Sequence, residues 1–306
     1  MYPRLSDFIE QGLGIPLPFP IYSFGAMVAL AILLGVWLVA REMDRLYEAG
    51  RLSGVSVPKR TGRGTTTVSP SVLSGTIAGV AAVAGVVGAK VFHILENLDA
   101  FMLDPAGMLF STGGLTFYGG LLVAGLALAG LLRRYGLSVA RMADVAAPSL
   151  MLGYGIGRIG CHLAGDGDWG IAANLAAKPD MVPMWLWAET YPHAIVGPPD
   201  VPVYPTPIYE AVACIALAGL LWGLRTHPFR AGWLFALYLV LNGIERFLIE
   251  QIRVNNTGDL LGFTVTQAEV IALGLVAAGI VGLALTTRRT AASSSSSASS
   301  TQPLAS

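Results

Sequence analysis

The sequence predicts an all-α, polytopic integral membrane protein of seven transmembrane helices, N-terminus outside and C-terminus cytoplasmic. Three observations predict it. Hydrophobic residues make up 54% of the 306 and charged residues only 12%, with a positive mean hydropathy; that is about half the charge of a soluble globular domain. Seven stretches are apolar and long enough to cross about 30 Å of hydrocarbon, which takes roughly 20 helical residues. Lysine and arginine crowd the segments on one side of those stretches.

The spans fall near 21–40, 72–95, 115–132, 143–163, 207–224, 232–252 and 267–287. None alternates in polarity as a strand would, which argues for a helical bundle over a barrel. Residues 1–20 are rich in proline and polar groups and lack a basic segment before an apolar core, so no cleavable signal peptide is expected. After span 1 come Arg41, Arg45, Arg51, Lys59, Arg60 and Arg63. Arg133, Arg134 and Arg141 follow span 3, Arg225 and Arg230 span 5, and Arg288 and Arg289 span 7. The other side has only Arg4 and Lys178, so the crowded side is cytoplasmic.

A single membrane domain is expected to cover 1–289, with a cytoplasmic loop at about 41–71 whose 52–71 portion, rich in Gly, Ser and Thr, reads as flexible. A Ser/Ala tail at 290–306 cannot build a core and is expected to be disordered. The outer segment at about 165–206 carries Trp169, Trp185, Trp187, Tyr191 and Tyr204 among many prolines, which suits a small ordered cap at the interface. Zero net charge offers no field to recruit nucleic acid, and two cysteines, Cys161 and Cys214, make neither a disulfide framework nor a zinc spacing. No internal repeat supports a transporter of duplicated halves.

Four basic residues remain inside the bilayer: Lys90, Arg158, Arg246 and Arg253. A central charge costs roughly 2.5–3.5 kcal/mol on insertion scales, so each needs a reason. The topology brings all four toward the outer face. Arg246, Glu250 and Arg253 stand at i, i+4 and i+7 and share one helix face. One reading is an internal ion pair that fixes helix packing. The other is an anion site, since Glu250 alone cannot neutralise three arginines and guanidinium forks suit phosphate oxygens. Span 4 ends in seven glycines among residues 153–170, with Arg158 between Gly157 and Gly160. Such a run would let the helix loosen and the backbone approach a ligand, or would serve close helix crossing.

These residues form a pattern. Gly157, Arg158, Ile159 and Gly160, followed by Gly165, Asp166, Trp169 and Gly170, resemble the signature of the prolipoprotein diacylglyceryl transferases. So do the run from Gly113 through Tyr118 to Gly120 opening span 3, the run from Tyr204 to Glu210 opening span 5, and Glu245, Arg246, Glu250 and Arg253 in span 6. The resemblance covers roughly residues 20–287. It implies transfer of the diacylglyceryl group of phosphatidylglycerol to the lipobox cysteine thiol of prolipoproteins, at the outer leaflet of the bacterial inner membrane. It also implies that Arg158, Arg246 and Arg253 bind the phosphate and that Glu250 supports them. No cofactor, metal or protein nucleophile is implied, because the substrate supplies the sulfur.

The chain departs from the family pattern at several places. Cys161 and Ala164 replace asparagines, Asp166 replaces a glutamate with one extra residue before Gly170, and Phe24 replaces a tyrosine. Tyr118 and Tyr204 replace histidines. A thiol with pKa near 8.5 needs a base at neutral pH. His162 is the first candidate by its ordinary pKa, followed by Tyr118, Asp166 and Glu210, with Asp168 a weaker one. A metal held by Cys161, His162, Asp166 and Asp168 matches no familiar ligand spacing. The departures motivate a second reading, a phospholipid-dependent transferase with another acceptor. A third, a non-enzymatic binder or transporter of anionic lipid, would place polar groups toward both sides of the membrane.

Overall fold

In the computed structural model the described residues are 3–14, 18–58, 64–111, 116–254, 257–260 and 263–287. The expected tail at 290–306 lies outside them, as do Lys59, Arg60, Arg63, Arg288, Arg289 and the 113–115 part of the span 3 motif.

The chain is mostly helical. A short amphipathic α1 (Leu5–Leu13) precedes α2 (Ser23–Glu48). The antiparallel hairpin β1 (Val55–Pro58) and β2 (Thr65–Val68) follows, then α3 (Ser74–Glu96) and the short α4 (Leu98–Leu103) and α5 (Pro105–Phe110). Next come α6 (Phe117–Arg134), α7 (Val139–Ala164), the one-turn α8 (Met184–Trp187), α9 (Thr206–Leu224) and α10 (Trp233–Glu250). A second hairpin, β3 (Thr257–Leu260) with β4 (Phe263–Thr266), leads into α11 (Gln267–Thr286). Thr266 and Glu269 close a reciprocal capping box that starts α11.

Each expected span has a long helix at its place. Among the described residues four helices are long and apolar enough to cross a membrane: Ser23–Glu48, Pro70–Glu96, Thr206–Leu224 and Gln267–Thr286. Arg158 lies in α7 and Glu245, Arg246 and Glu250 in α10, whereas Lys90 lies in α3 and Arg253 just beyond α10. Leu33, Val83, Leu126, Val212, Leu248 and Leu285, one from each of six helices, are largely exposed. Isolated exposed leucines are ordinary, but a belt of them around a bundle suits hydrocarbon.

Three expectations meet a different outcome. The stretch after span 1 is not irregular: α2 continues to Glu48 because Glu42, Met43 and Leu46 bury one face of its extension. The 52–71 stretch, expected to be flexible, pairs Val55 with Val68 and Pro58 with Thr65, since its valines and threonines favour a pleated, half-buried surface. Met43, Leu46, Leu52, Val55, Leu73, Leu132, Leu137, Met142 and Val145 form one buried cluster at this end of the bundle. The glycine-rich part of span 4 does not loosen either, and α7 is continuous to Ala164. Two of its glycines serve close crossing: a Cβ at Gly155 would stand 3.1 Å from the Ala211 carbonyl of α9, and one at Gly160 3.1 Å from Met27 of α2. Helix α7 is thereby held between α2 and α9, with Ala147, Met151, Cys214, Ala218, Leu221 and Leu234 as its second buried cluster.

Candidate functional site

Helix α7 ends at Gly165, whose left-handed φ of 64° closes the helix and leaves no room for a side chain beside Ala194. The chain then turns through Asp166 and Gly167 and passes close to the end of α10. Gly170 pairs with Arg253 as an isolated bridge, and the Ile171 N–H donates to the Ile252 carbonyl at 2.9 Å. Only glycine fits there, because a Cβ at 170 would sit 2.6 Å from that carbonyl. The Thr206 hydroxyl at the start of α9 donates to the Asp168 carbonyl at 2.8 Å. Three elements are thus tied at one point, and their charged side chains meet there.

Glu210, completely buried in the first turns of α9, is the hub. Its Oε2 lies 2.9 Å from Arg158 Nε, and its Oε1 accepts from Tyr154 at 3.0 Å and from Arg246 Nη1 at 3.2 Å. Arg253 Nη1 is 3.8 Å from the same oxygen. Asp168 bridges from the cap side, accepting from Arg158 on one oxygen and from Arg253 Nη2 at 2.6 Å on the other. Arg246 Nη2 reaches Glu250 at 2.9 Å. The Arg158 guanidinium also rests 5.1 Å from the Tyr154 ring centroid. Buried Glu245 adds a carboxylate within electrostatic reach of the three arginines.

The arginines are therefore matched by carboxylates from α7's exit, α9 and α10. The surplus of positive charge inferred from Glu250 alone does not exist in the fold. What distinguishes the lattice is its open edge. Arg246 is the most accessible of the three, with 22% of its side chain exposed, against 12% for Arg158 and 7% for Arg253. The Nε and Nη1 of Arg253 make no hydrogen bond among the described residues.

The other expected site residues divide. Half-exposed Tyr118, at the start of α6, feels the charges of Arg246 and Glu250 and borders the lattice. His162 faces the cap, where its Nδ1 is 3.1 Å from the Tyr191 hydroxyl and its ring meets Tyr191 edge-on. Tyr191 is buried, holds a strained φ of 46° and stacks near Trp169; burial, with Glu189 nearby, pushes its hydroxyl up from the usual tyrosine range. Exposed Asp166 accepts from the Asp168 N–H at 3.2 Å. Asp168, its close neighbour, is the one that engages the arginines. Cys161, Asp166 and Asp168 bring potential ligand atoms within 4.8 Å of one another, but both Asp168 oxygens already face guanidinium groups, which disfavours a cation. Lys90 serves the end of α5, donating to the carbonyls of Met108 and Ser111. Sequence reasoning missed Tyr154 as a lattice member; its place one turn before Arg158 was the available signal.

Fold and site together define an integral membrane protein with a polar, charge-matched site at one end of a helical bundle. The sequence model of prolipoprotein diacylglyceryl transferase matches residues 13–285. Proteins named phosphatidylglycerol–prolipoprotein diacylglyceryl transferase, from Bacillus cereus strain 03BB102 and Bacillus thuringiensis subsp. konkukian strain 97-27, are each 31% identical over 271 residues. The alignments cover 86% of this chain and 87% of each relative. A Bacillus anthracis relative of the same name is equally similar. The chain belongs to the prolipoprotein diacylglyceryl transferase family, a family of membrane enzymes.

Proposed function

We propose that this chain transfers the diacylglyceryl group of phosphatidylglycerol to the cysteine thiol of a prolipoprotein lipobox. The enzyme is a seven-span protein of the bacterial inner membrane, N-terminus outside, with its lattice at the outer leaflet. The observation that carries this is the arginine–carboxylate lattice on a fold of this family. The thiol sulfur attacks the glyceryl carbon, the carbon–oxygen bond to phosphate breaks, and glycerol phosphate leaves with the electron pair. Charge grows on the phosphate as it departs, and fixed guanidinium groups stabilise it without reorganising.

The carboxylates have a matching role. Glu210 and Asp168 hold the guanidinium planes in place, so the phosphate meets cations already oriented. Arg246 offers the accessible edge, Arg253 backs it from a buried position with two donors that hold no hydrogen bond among the described residues, and Arg158 anchors the hub from α7. Glu250 positions Arg246. Among the candidate bases, Tyr118 is beside this edge, placed to pass the thiol proton onward; His162 and Asp166 are better read as holding the cap. The departures at Cys161, Ala164, Tyr118 and Tyr204 favour one alternative, the same lipid donor with another acceptor. Purified protein given phosphatidylglycerol and a lipobox peptide should yield the thioether product by mass spectrometry. Arg158→Ala and Arg246→Ala should each abolish it while remaining folded. Full activity in either variant would sink the assigned roles.

A further inference from the structure

A second ionic cluster stands at the opposite end of α7 from the lattice. Arg141 and Arg158 are roughly 25 Å apart along that helix at 1.5 Å of rise per residue. A cavity of about 570 Å³ opens beside Arg141, and Arg51 and Arg225 converge on it from two other chain segments. Two carboxylates share its walls, but both are already engaged. Glu42 takes both arms of Arg45, at 2.9 and 2.5 Å, and Arg225 Nε at 3.4 Å. Asp144 accepts the Gly232 and Phe235 N–H groups that begin α10, at 2.6 and 2.8 Å.

What is left over is cationic. Arg51 has no carboxylate partner among the described residues, and Arg141 donates only to the Arg51 carbonyl. His227 also lines the cavity with its side chain 8% exposed, and its Nδ1 has no hydrogen-bond partner among the described residues. Its Nε2 is 3.9 Å from Asp144, too far for a hydrogen bond. Converging guanidinium forks select tetrahedral oxyanions over single point charges.

We propose that this cavity binds a phosphate group through Arg51, Arg141 and Arg225, with His227 in its wall, independently of the lattice. Its place among the basic loops puts it at the cytoplasmic surface in the orientation proposed above. The phosphate belongs either to the headgroup of an anionic phospholipid in the inner leaflet or to a soluble phosphate ester. Two arms separate these sources. Full-length protein in detergent is titrated with inorganic phosphate and with glycerol 3-phosphate by calorimetry. The same protein in nanodiscs of phosphatidylglycerol or phosphatidylcholine is examined by native mass spectrometry for retained lipid.

Binding in at least one arm should survive in an Arg158→Gln, Arg246→Gln double variant, which removes the lattice as a second phosphate binder; every further variant is compared in that background, where adding Arg51→Gln and Arg225→Gln should lower binding about tenfold or more. Calorimetric binding identifies a soluble ester; retained phosphatidylglycerol without it identifies a headgroup. If the cytoplasmic double variant melts early, exposed Arg51→Gln alone should lower affinity severalfold at unchanged melting temperature. Binding left unchanged in both arms when Arg51→Gln is added to that background overturns the proposal, as does loss of all binding in the lattice variant. Loss of lipid transfer in the lattice variant with binding retained separates this site from the proposed activity.

Discussion

Asp166 and Asp168 are neighbours in one turn, yet only Asp168 faces guanidinium groups, accepting from Arg158 and Arg253 while Asp166 stays exposed. Burial alone would raise the Asp168 carboxyl, but the two arginines outweigh it and hold it below the usual carboxylate range. A depressed folded value means the contact's stabilisation is complete above the unfolded value near 3.9 and is lost only as pH falls through the folded value. Asp168→Asn should therefore destabilise by about 2 kcal/mol, between an exposed pair and a buried one, and should cut transfer steeply. The stability gap to the unmodified protein should stay constant from about pH 8 to 5 and close below about pH 4. Thermal unfolding across pH checks this, and a gap that closes near neutrality would contradict it. Asp166→Asn should behave as the unmodified protein in both assays. Spacing along the sequence pointed to Asp166, because one inserted residue left two aspartates for one place. Arg158, Arg246 and Arg253 were legible because charge inside a hydrophobic span has no bland explanation. Glu210 was visible as a motif residue, but its hub role was not, since it depends on three helices meeting.

At the scale of elements, the cap and α10 are joined by backbone rather than by side chains alone, through the Gly170–Arg253 bridge and the Ile171 to Ile252 hydrogen bond. This joint places Asp168 against Arg253. Gly170→Ala would drive a Cβ to 2.6 Å from the Ile252 carbonyl and 2.8 Å from Thr206 Cγ2. Neither contact can move far, because one is backbone and the other sits on a side chain bonded to the Asp168 carbonyl. The substitution should cost about 1–3 kcal/mol, as overpacking does, and lower transfer at least tenfold although no charged group is changed. A melting curve and the lipobox-peptide assay check the pair of effects; unchanged activity would mean that the joint does not position the lattice. Most helices were readable from apolar length. The hairpins were not, because four-residue strands of Val and Thr set among Gly, Ser and basic residues give too short a pattern to separate from a loop. The glycine run of α7 suits loosening or close crossing equally in the sequence; Gly155 against α9 and Gly160 against α2 show the second, which depends on neighbours the sequence does not name.

For the whole molecule, the decisive quantity is which end of α7 faces outward, because Arg158 and Arg141 stand at opposite ends of it. The orientation proposed from the bias of basic residues has Arg141, Arg225 and the α2 extension in the cytoplasm, and with them the lattice and cap at the outer surface. A cap built from residues 165–206 fits that face, where a secreted prolipoprotein presents its thiol. The orientation also explains the division of charge. Basic residues in the cytoplasmic segments set insertion, whereas lattice arginines are matched one by one with carboxylates and so add little to the bias. Single cysteines introduced at Asp180 in the cap and at Thr226 beside the cytoplasmic cavity test this, since native Cys161 and Cys214 are buried. A membrane-impermeant maleimide should label the Asp180→Cys protein in intact cells, and the Thr226→Cys protein only after permeabilisation. The reverse pattern would put the lattice in the cytoplasm, where no translocated lipobox could reach it, and would remove the proposed substrate along with the topology.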